Sequence, residues 1–238
     1  MTRKTNPIGL RLGLTQVWDF TIQNYCKLNY YYNSWLLKQW QVNNIISKIL
    51  KSSKFWVNDK EFWYLKNKLF LNIYITKEVS TPYADKYLLL IKELSKIILN
   101  WFSFKIYLRI YKRIDWTITS DLVSNYIVYL FEQDRSPSRI LWQLCEFLKK
   151  NLYAKKVVYS TKGIRLIYLK GFKVKLVGRF DNTKSQMAKS IQQSSGSLSL
   201  ISLKNQVEFI QKDLYTRLGS CGVQVWLFYE INWYLKNE

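Results

Sequence analysis

From Leu69 to Thr76 the chain alternates strictly: Leu69, Leu71, Ile73 and Ile75 take every second position, and Phe70, Asn72, Tyr74 and Thr76 take the others. Successive side chains of a strand point to opposite faces, so such a stretch is extended and must bury one row of aliphatic groups. Residues 61–76 are therefore expected to form a hairpin turning at Lys66-Asn67-Lys68. Both of its faces are partly apolar, and one is expected to pack on helices. The flanking stretches have the helical period. Leu36, Leu37, Trp40, Ile45, Ile49 and Leu50 follow a Ser34 cap and predict a helix ending near Lys51. Behind Pro82, the residues Tyr87, Leu88, Ile91, Leu94, Ile98 and Leu99 predict a second helix over 84–101. A strand is expected at 104–111, and helices at 120–131 and, after the Ser136-Pro137 break, at 140–152. The order helix, strand, strand, helix, strand, helix predicts an α/β layer.

The last third has a different texture. Phe172, Val174 and Leu176 point one way while Lys173 and Lys175 point the other, which predicts a half-buried strand with a basic face. The polar stretch 181–195 is expected to hold a short helix. Gly196 is expected to open two strands, over 198–204 and 207–215. The turn Gly219-Ser220-Cys221-Gly222 then leads into a final strand, where Val223, Val225 and Leu227 alternate with Gln224, Trp226 and Phe228. The fold class expected is α/β (α+β). Residues 1–32 form a basic N-terminal arm, 33–132 a KH-like domain and 133–169 a connecting helix and insertion. Residues 170–238 complete it as a second α/β domain with a mainly antiparallel sheet.

Charge bounds the partner. In 238 residues, 37 Lys and Arg face 16 Asp and Glu, a formal charge of +21, while the 48% apolar content is that of a folded chain. An excess of this size raises self-repulsion in a compact state unless a polyanion absorbs it, which points to nucleic acid or an anionic membrane. The greasiest stretch, 87–108, is broken by Lys92, Glu93, Lys96, Asn100 and Lys105, so no membrane span is expected. There is no histidine, and the three cysteines, Cys26, Cys145 and Cys221, stand far apart. That pattern argues against zinc sites, haem ligation through His and triad catalysis; the expectation is no cofactor, no metal and no enzyme activity, with idle free thiols. Ile, Leu, Lys, Asn, Tyr and Phe dominate while Ala is confined to Ala84, Ala154 and Ala188, a usage fitting an AT-rich organellar genome. The opening residues, 1–4, carry neither the apolar core of a secretory signal nor an Arg/Ser-rich amphipathic run.

Three segments carry a resemblance. Lys4, Pro7, Gly9, Arg11, Leu12 and Gly13 fit the pattern K-x-x-P-x-G-x-R-L-G, with Trp18 following. Residues 170–179 read Lys-Gly-Phe-Lys-Val-Lys-Leu-Val-Gly-Arg, a strand ending in Gly178-Arg179. Thr216, Gly219, Gly222, Val223, Val225, Trp226, Phe228 and Glu230 fit a closing hairpin T-x-x-G-x-x-G-V-x-V-W-x-F. In this order and at these positions they resemble the small-subunit ribosomal protein S-three family, in its mitochondrially encoded form.

The resemblance implies a two-domain protein of the mitochondrial matrix, in the head of the mitochondrial small ribosomal subunit. Its implied partners are small-subunit ribosomal RNA, messenger RNA where it enters the subunit, and neighbouring proteins of the S-ten and S-fourteen families. Arg3, Lys4, Arg11, Lys173, Lys175 and Arg179 are the expected ribosomal RNA contacts, with Gly9 and Gly13 bending the arm against a phosphate backbone. Arg135 and Arg139 are expected to line the channel by which messenger RNA enters. Core packing is favoured over base stacking for Trp226 and Phe228. Departures from the family limit the KH-like layer. The stretch 79–85 has no glycine where a KH domain grips single strands with a Gly-x-x-Gly loop, so this layer is degenerate and expected to serve as packing. Asp134 replaces positive charge beside the two channel arginines, and 154–169 reads as an insertion facing an organelle-specific neighbour. Two rival readings remain: a non-ribosomal organellar RNA-binding or splicing factor, and a peripheral subunit of a membrane complex, the latter for its 17% aromatic content.

Overall fold

The computed structural model describes residues 5–18, 29–52, 55–65, 68–77, 84–100, 105–112, 119–133, 136–161, 163–180, 187–216 and 218–231. Its residues fall into two compact units, one formed by 19–116 and the other by 1–18 together with 117–238.

In the 19–116 unit, helix α1 (Asn29–Ser52) is followed by the hairpin β1 (Phe55–Leu65) and β2 (Lys68–Lys77), then by α2 (Ala84–Leu99) and β3 (Lys105–Lys112). The sheet order is β1-β2-β3. β1 and β2 are antiparallel with Leu65 opposite Lys68; of the turn the sequence predicts, Lys66 and Asn67 lie outside the described residues. β2 and β3 run parallel, which requires a long crossover, and α2 supplies it. The aliphatic row Leu69, Leu71, Ile73 and Ile75 is fully buried, against Val42, Ile46 and Leu50 of α1 and Leu94 and Ile98 of α2. Burying each of these side chains contributes roughly 2 kcal/mol. Lys60 ties β1 to α1, donating to Asn43 Oδ1 at 2.5 Å and Ser47 Oγ at 2.6 Å.

Two expectations for α1 fail. The helix begins at Asn29, inside the stretch read as an arm. Its buried stripe is Val42, Ile46 and Leu50, while Leu36, Leu37 and Trp40 are exposed. The expected set was too wide for one face: Leu36 and Ile45 stand on opposite sides of a 3.6-residue helix. In α2, Ile98 is buried as expected but Leu99 is exposed; the side chains of Tyr87, Leu88 and Ile91 lie outside the description.

The other unit is built on a five-stranded sheet ordered β4-β5-β8-β7, with every pairing antiparallel. Its elements are α3 (Ser120–Glu132), α4 (Pro137–Lys150), β4 (Lys155–Ser160), β5 (Gly163–Gly178), β6 (Lys189–Gly196), β7 (Gln206–Thr216) and β8 (Gly219–Ile231). β8 pairs with one edge of β5, and β4 and β6 share the other, one after the next. Thr119 caps α3, its hydroxyl accepting from Leu122 N–H at 3.3 Å, and Pro137 opens α4. Both helices lie on one side of the sheet and bury Val123, Ile127, Leu130, Leu141, Leu144 and Leu148 against it. The helix-facing residues of β5 are Ile167 and Leu169, then Phe172, Val174 and Leu176. A bulge between Leu169 and Gly171 inserts the extra residue that changes the parity.

The sequence misplaced several boundaries here. The stretch 163–169, read as part of an insertion, is the first half of the central strand β5, and its Ile167 and Leu169 are core. The helix α3, expected in the KH-like domain, packs on this sheet. Residues 189–196 form a strand rather than a short helix; 181–186 lie outside the described residues. Residues 198–204, expected to form a strand, are irregular, with bends and turns. The closing turn sits ahead of Gly219, which already pairs with Thr216, so the expected turn residues 219–222 belong to β8.

Candidate nucleic-acid interface

The side of the five-stranded sheet turned away from α3 and α4 carries the basic residues the sequence selected. Lys173 pairs with Trp226 of β8 and Ser194 of β6, and Trp226 with Phe209 of β7. One row along, Gln192, Lys175, Gln224 and Gln211 stand side by side. The Lys173 ammonium lies 5.5 Å from the centre of the Trp226 ring, whose other neighbour is Phe209 at 5.2 Å. Gln224 Nε2 donates to Gln211 Oε1 at 3.2 Å. The face is thus a cation and aromatic row next to a row of amides, all half-buried or exposed.

Its electrostatics follow from where the acids went. Glu208 points to the helix side, where it accepts from Lys156 at 2.7 Å and from Ser120 N–H at 3.1 Å. Asp121 holds Lys212 there at 3.1 Å. Glu230 is engaged by Lys170 at 2.7 Å. Among the described residues Lys173 and Lys175 have no carboxylate partner; of the acids on the same face, Asp213 stands one row beyond Lys175 and Glu230 is the one held by Lys170. Two uncompensated ammonium groups on one strand attract a polyanion. Arg179 follows at the end of β5, half-buried. Gly178 ahead of it permits close packing, because a Cβ there would collide with Cys221 Sγ.

The arm gives a different result. Residues 5–18 fold into consecutive turns, with Gly13 at φ +81° and the Arg11 carbonyl accepting from the N–H groups of Leu14, Thr15 and Gln16 at 3.1 Å each. Gln16 Nε2 donates to Val207 O at 2.7 Å, which docks the arm on β7. Arg11 has no solvent exposure. Its guanidinium donates to the carbonyls of Asn205 at 2.8 Å and of Pro7, Leu200 and Ser202 at 2.9 Å each. Expected to contact RNA phosphate, Arg11 instead spends its donors on the protein's own backbone. Desolvation lowers its pKa, yet arginine starts so high that it stays charged at neutral pH. Arg3 and Lys4 lie outside the described residues, as does Arg135. Arg139 is exposed in the first turn of α4, with the exposed Trp142 one turn on.

Phe228, grouped with Trp226 on the sequence, is buried. Cys145 and Cys221 are buried free thiols, and burial pushes the Cys145 pKa up, with Lys149 opposing. Cys26 lies outside the described residues. Among the described residues no group of side chains could hold a metal ion, and no helix is long and apolar enough to cross a membrane. The sequence reading also missed a second open sheet face, in the 19–116 unit. There Trp63, Phe70 and Tyr107 form one row and Glu61, Asn72 and Arg109 the next. Its signal was available in the polar-side residues of the same strict alternation that located the core.

Searched against family models, the chain matches none. Among curated proteins it is 41% identical over 229 residues to small ribosomal subunit protein uS3m of Chondrus crispus, covering 96% of this chain and 94% of that one. It is 25% identical over 232 residues to small ribosomal subunit protein uS3 of Borrelia duttonii, covering 96% and 75%. The corresponding protein of Phytoplasma mali is 23% identical over 247 residues, covering 96% and 85%.

Proposed function

Because this chain belongs to the uS3 family of small ribosomal subunit proteins, we propose that it binds ribosomal RNA through the open side of its five-stranded sheet. It is a structural constituent of the mitochondrial ribosome's small subunit and not an enzyme. The observation that carries the reading is the pair Lys173 and Lys175, half-buried on one strand face and without a carboxylate partner among the described residues, in a chain with charge +21. Arg179 extends that line of charge, and Arg3 and Lys4 add to it from the start of the chain. Arg139, with Arg135, faces messenger RNA where it enters the subunit. The arrangement of α1, β1, β2, α2 and β3 around a mixed three-stranded sheet supports the KH-like reading of the first unit. The exposed Val157, Tyr159 and Ile164 of the β4–β5 hairpin favour a neighbouring ribosomal protein as the cover of that edge.

The test is the salt dependence of binding to small-subunit RNA. Each phosphate contact contributes roughly one unit to the log–log slope. Replacing both Lys173 and Lys175 by Ala should lower the slope by about 2 and leave the thermal midpoint unchanged. A slope equal to that of the wild type would remove these residues from the interface.

A further inference from the structure

The three-stranded sheet buries Leu69, Leu71, Ile73 and Ile75 on one side and turns a row of rings to the other. Trp63 is 43% exposed, and Tyr107 and Tyr111 are 40% exposed each. Phe70 and Tyr107 stack across β2 and β3 with centroids 4.9 Å apart and planes 13° from parallel; Tyr74 and Tyr111 do the same at 5.3 Å and 21°. Between the two stacks, in register with Asn72, stands Arg109, its guanidinium carbon 5.6 Å from the centre of the Phe70 ring. Glu61 Oε2 accepts from Trp63 Nε1, Asn72 Nδ2 and Tyr74 Oη, each at 3.3 Å, and so pins two of the rings in place.

We propose that this face of the 19–116 unit binds an unpaired RNA segment, whose bases extend the two ring stacks while Arg109 meets the phosphates between them. The sequence suggested that this layer only packs. Three features favour RNA. Each stack ends on an exposed tyrosine of the edge strand β3, and a base has the π-face needed to continue it. The three donors on Glu61 are neutral and fix its carboxylate without cancelling its charge, so the cations a phosphate meets on the face are Arg109, in the same row as Glu61, and the exposed Lys68, two rows away. An acidic peptide would satisfy that charge but could not extend the stacks. Paired bases are already stacked on each other within a helix, so the segment is single-stranded. The inference takes from the ribosomal reading only the chemical class of partner and concerns a different surface.

The full-length protein is titrated with a short single-stranded RNA of mixed sequence and with a hairpin of equal length and charge. Tyr107→Leu/Tyr111→Leu should weaken single-strand binding about tenfold or more, since base–aromatic stacking is worth ~1–3 kcal/mol per base, and leave hairpin binding unchanged. Arg109→Gln, which keeps the packing, should weaken it in the same sense and serves if the tyrosine variant melts early. Equal loss on both RNAs, or no loss on the single strand, overturns the proposal. Lys173→Ala/Lys175→Ala is run beside them. If it leaves both RNAs unaffected while the tyrosine variant fails on the single strand, the other face is refuted and this one stands; the reverse pattern refutes this one. Ultraviolet cross-linking of assembled small subunits gives the independent readout. Nucleotides attached to peptides spanning 60–77 or 105–112 are expected, and a face cross-linked only to another protein overturns the assignment.

Discussion

Among the described residues Arg11 is a cation with no anion: its four partners there are backbone carbonyls, three of them 189 to 194 residues further along the chain. Removing a charged donor from buried acceptors costs more than the bond was worth net, because the acceptors are left desolvated and unpaired. Arg11→Met should therefore lower stability by about 3 kcal/mol or more, read as a shift in the urea midpoint. Arg11→Lys should recover part of it, since an ammonium keeps the charge but lacks the planar fork. Neither change should alter the salt slope of RNA binding, which separates Arg11 from Lys173 and Lys175; a slope reduced by about 1 would return it to the interface. No feature of the motif at positions 4–13 reveals this, because what an arginine touches depends on which distant loop folds over it. Lys173 and Lys175 were legible because alternation within their own strand decides their side of the sheet. Cys145 gives the pH expectation. Burial raises its pKa, so the neutral thiol is the form the fold favours, and that contribution is whole below about pH 8.5 and lost as pH rises through the folded value. Native-state alkylation followed by mass spectrometry should find it far slower than in urea, and equal rates would contradict the burial.

At the scale of elements, glycines separate close packing from simple turning. Gly196 combines φ +81° with a position where a Cβ would collide with Lys170 O, and at Gly171 a Cβ would lie 2.5 Å from Ser197 O. Gly13 has the same φ but open space around it. Gly13→Ala should then cost roughly 1 kcal/mol from backbone strain alone. Gly196→Ala should cost clearly more and loosen the β5–β6 pairing, as amide exchange in 189–196 would report; equal cost for the two would mean that β6 can move aside. Elements with one unbroken period were read well: β2, α3 and the run from Phe172 to Leu176 lie where alternation or helical spacing put them. The failures share a cause. The bulge at Leu169 to Gly171 changes parity in mid-strand, so the first half of β5 resembled a separate insertion. β6, Lys-Ser-Ile-Gln-Gln-Ser-Ser-Gly, is an edge strand whose single apolar side chain, Ile191, packs against the core, and one such residue gives periodicity little to detect.

For the whole molecule, charge and chain order matter more than any single contact. With about 5 to 8 phosphates neutralised, the affinity for small-subunit RNA should fall with a log–log salt slope of roughly −4 to −7; a slope near zero would remove the electrostatic basis of the reading. Replacing Arg135 and Arg139 by Ala should leave subunit assembly intact and alter only the handling of structured messengers, because Arg139 is exposed and outside the core. Failure of the double variant to assemble would place these residues elsewhere. The arm clamped by Arg11 has a consequence in time. Leu200 leaves the peptidyl-transferase centre 189 residues after Arg11. At ~5–20 residues per second the arm waits on the order of 10 to 40 s for its acceptors. During that interval a nascent chain holds a finished 19–116 unit between two halves of an unfinished one. A polypeptide stalled before residue 200 has the docking strand still to be made and an Arg11 guanidinium without three of its acceptors, so termination ahead of Leu200 should leave residues 5–18 undocked.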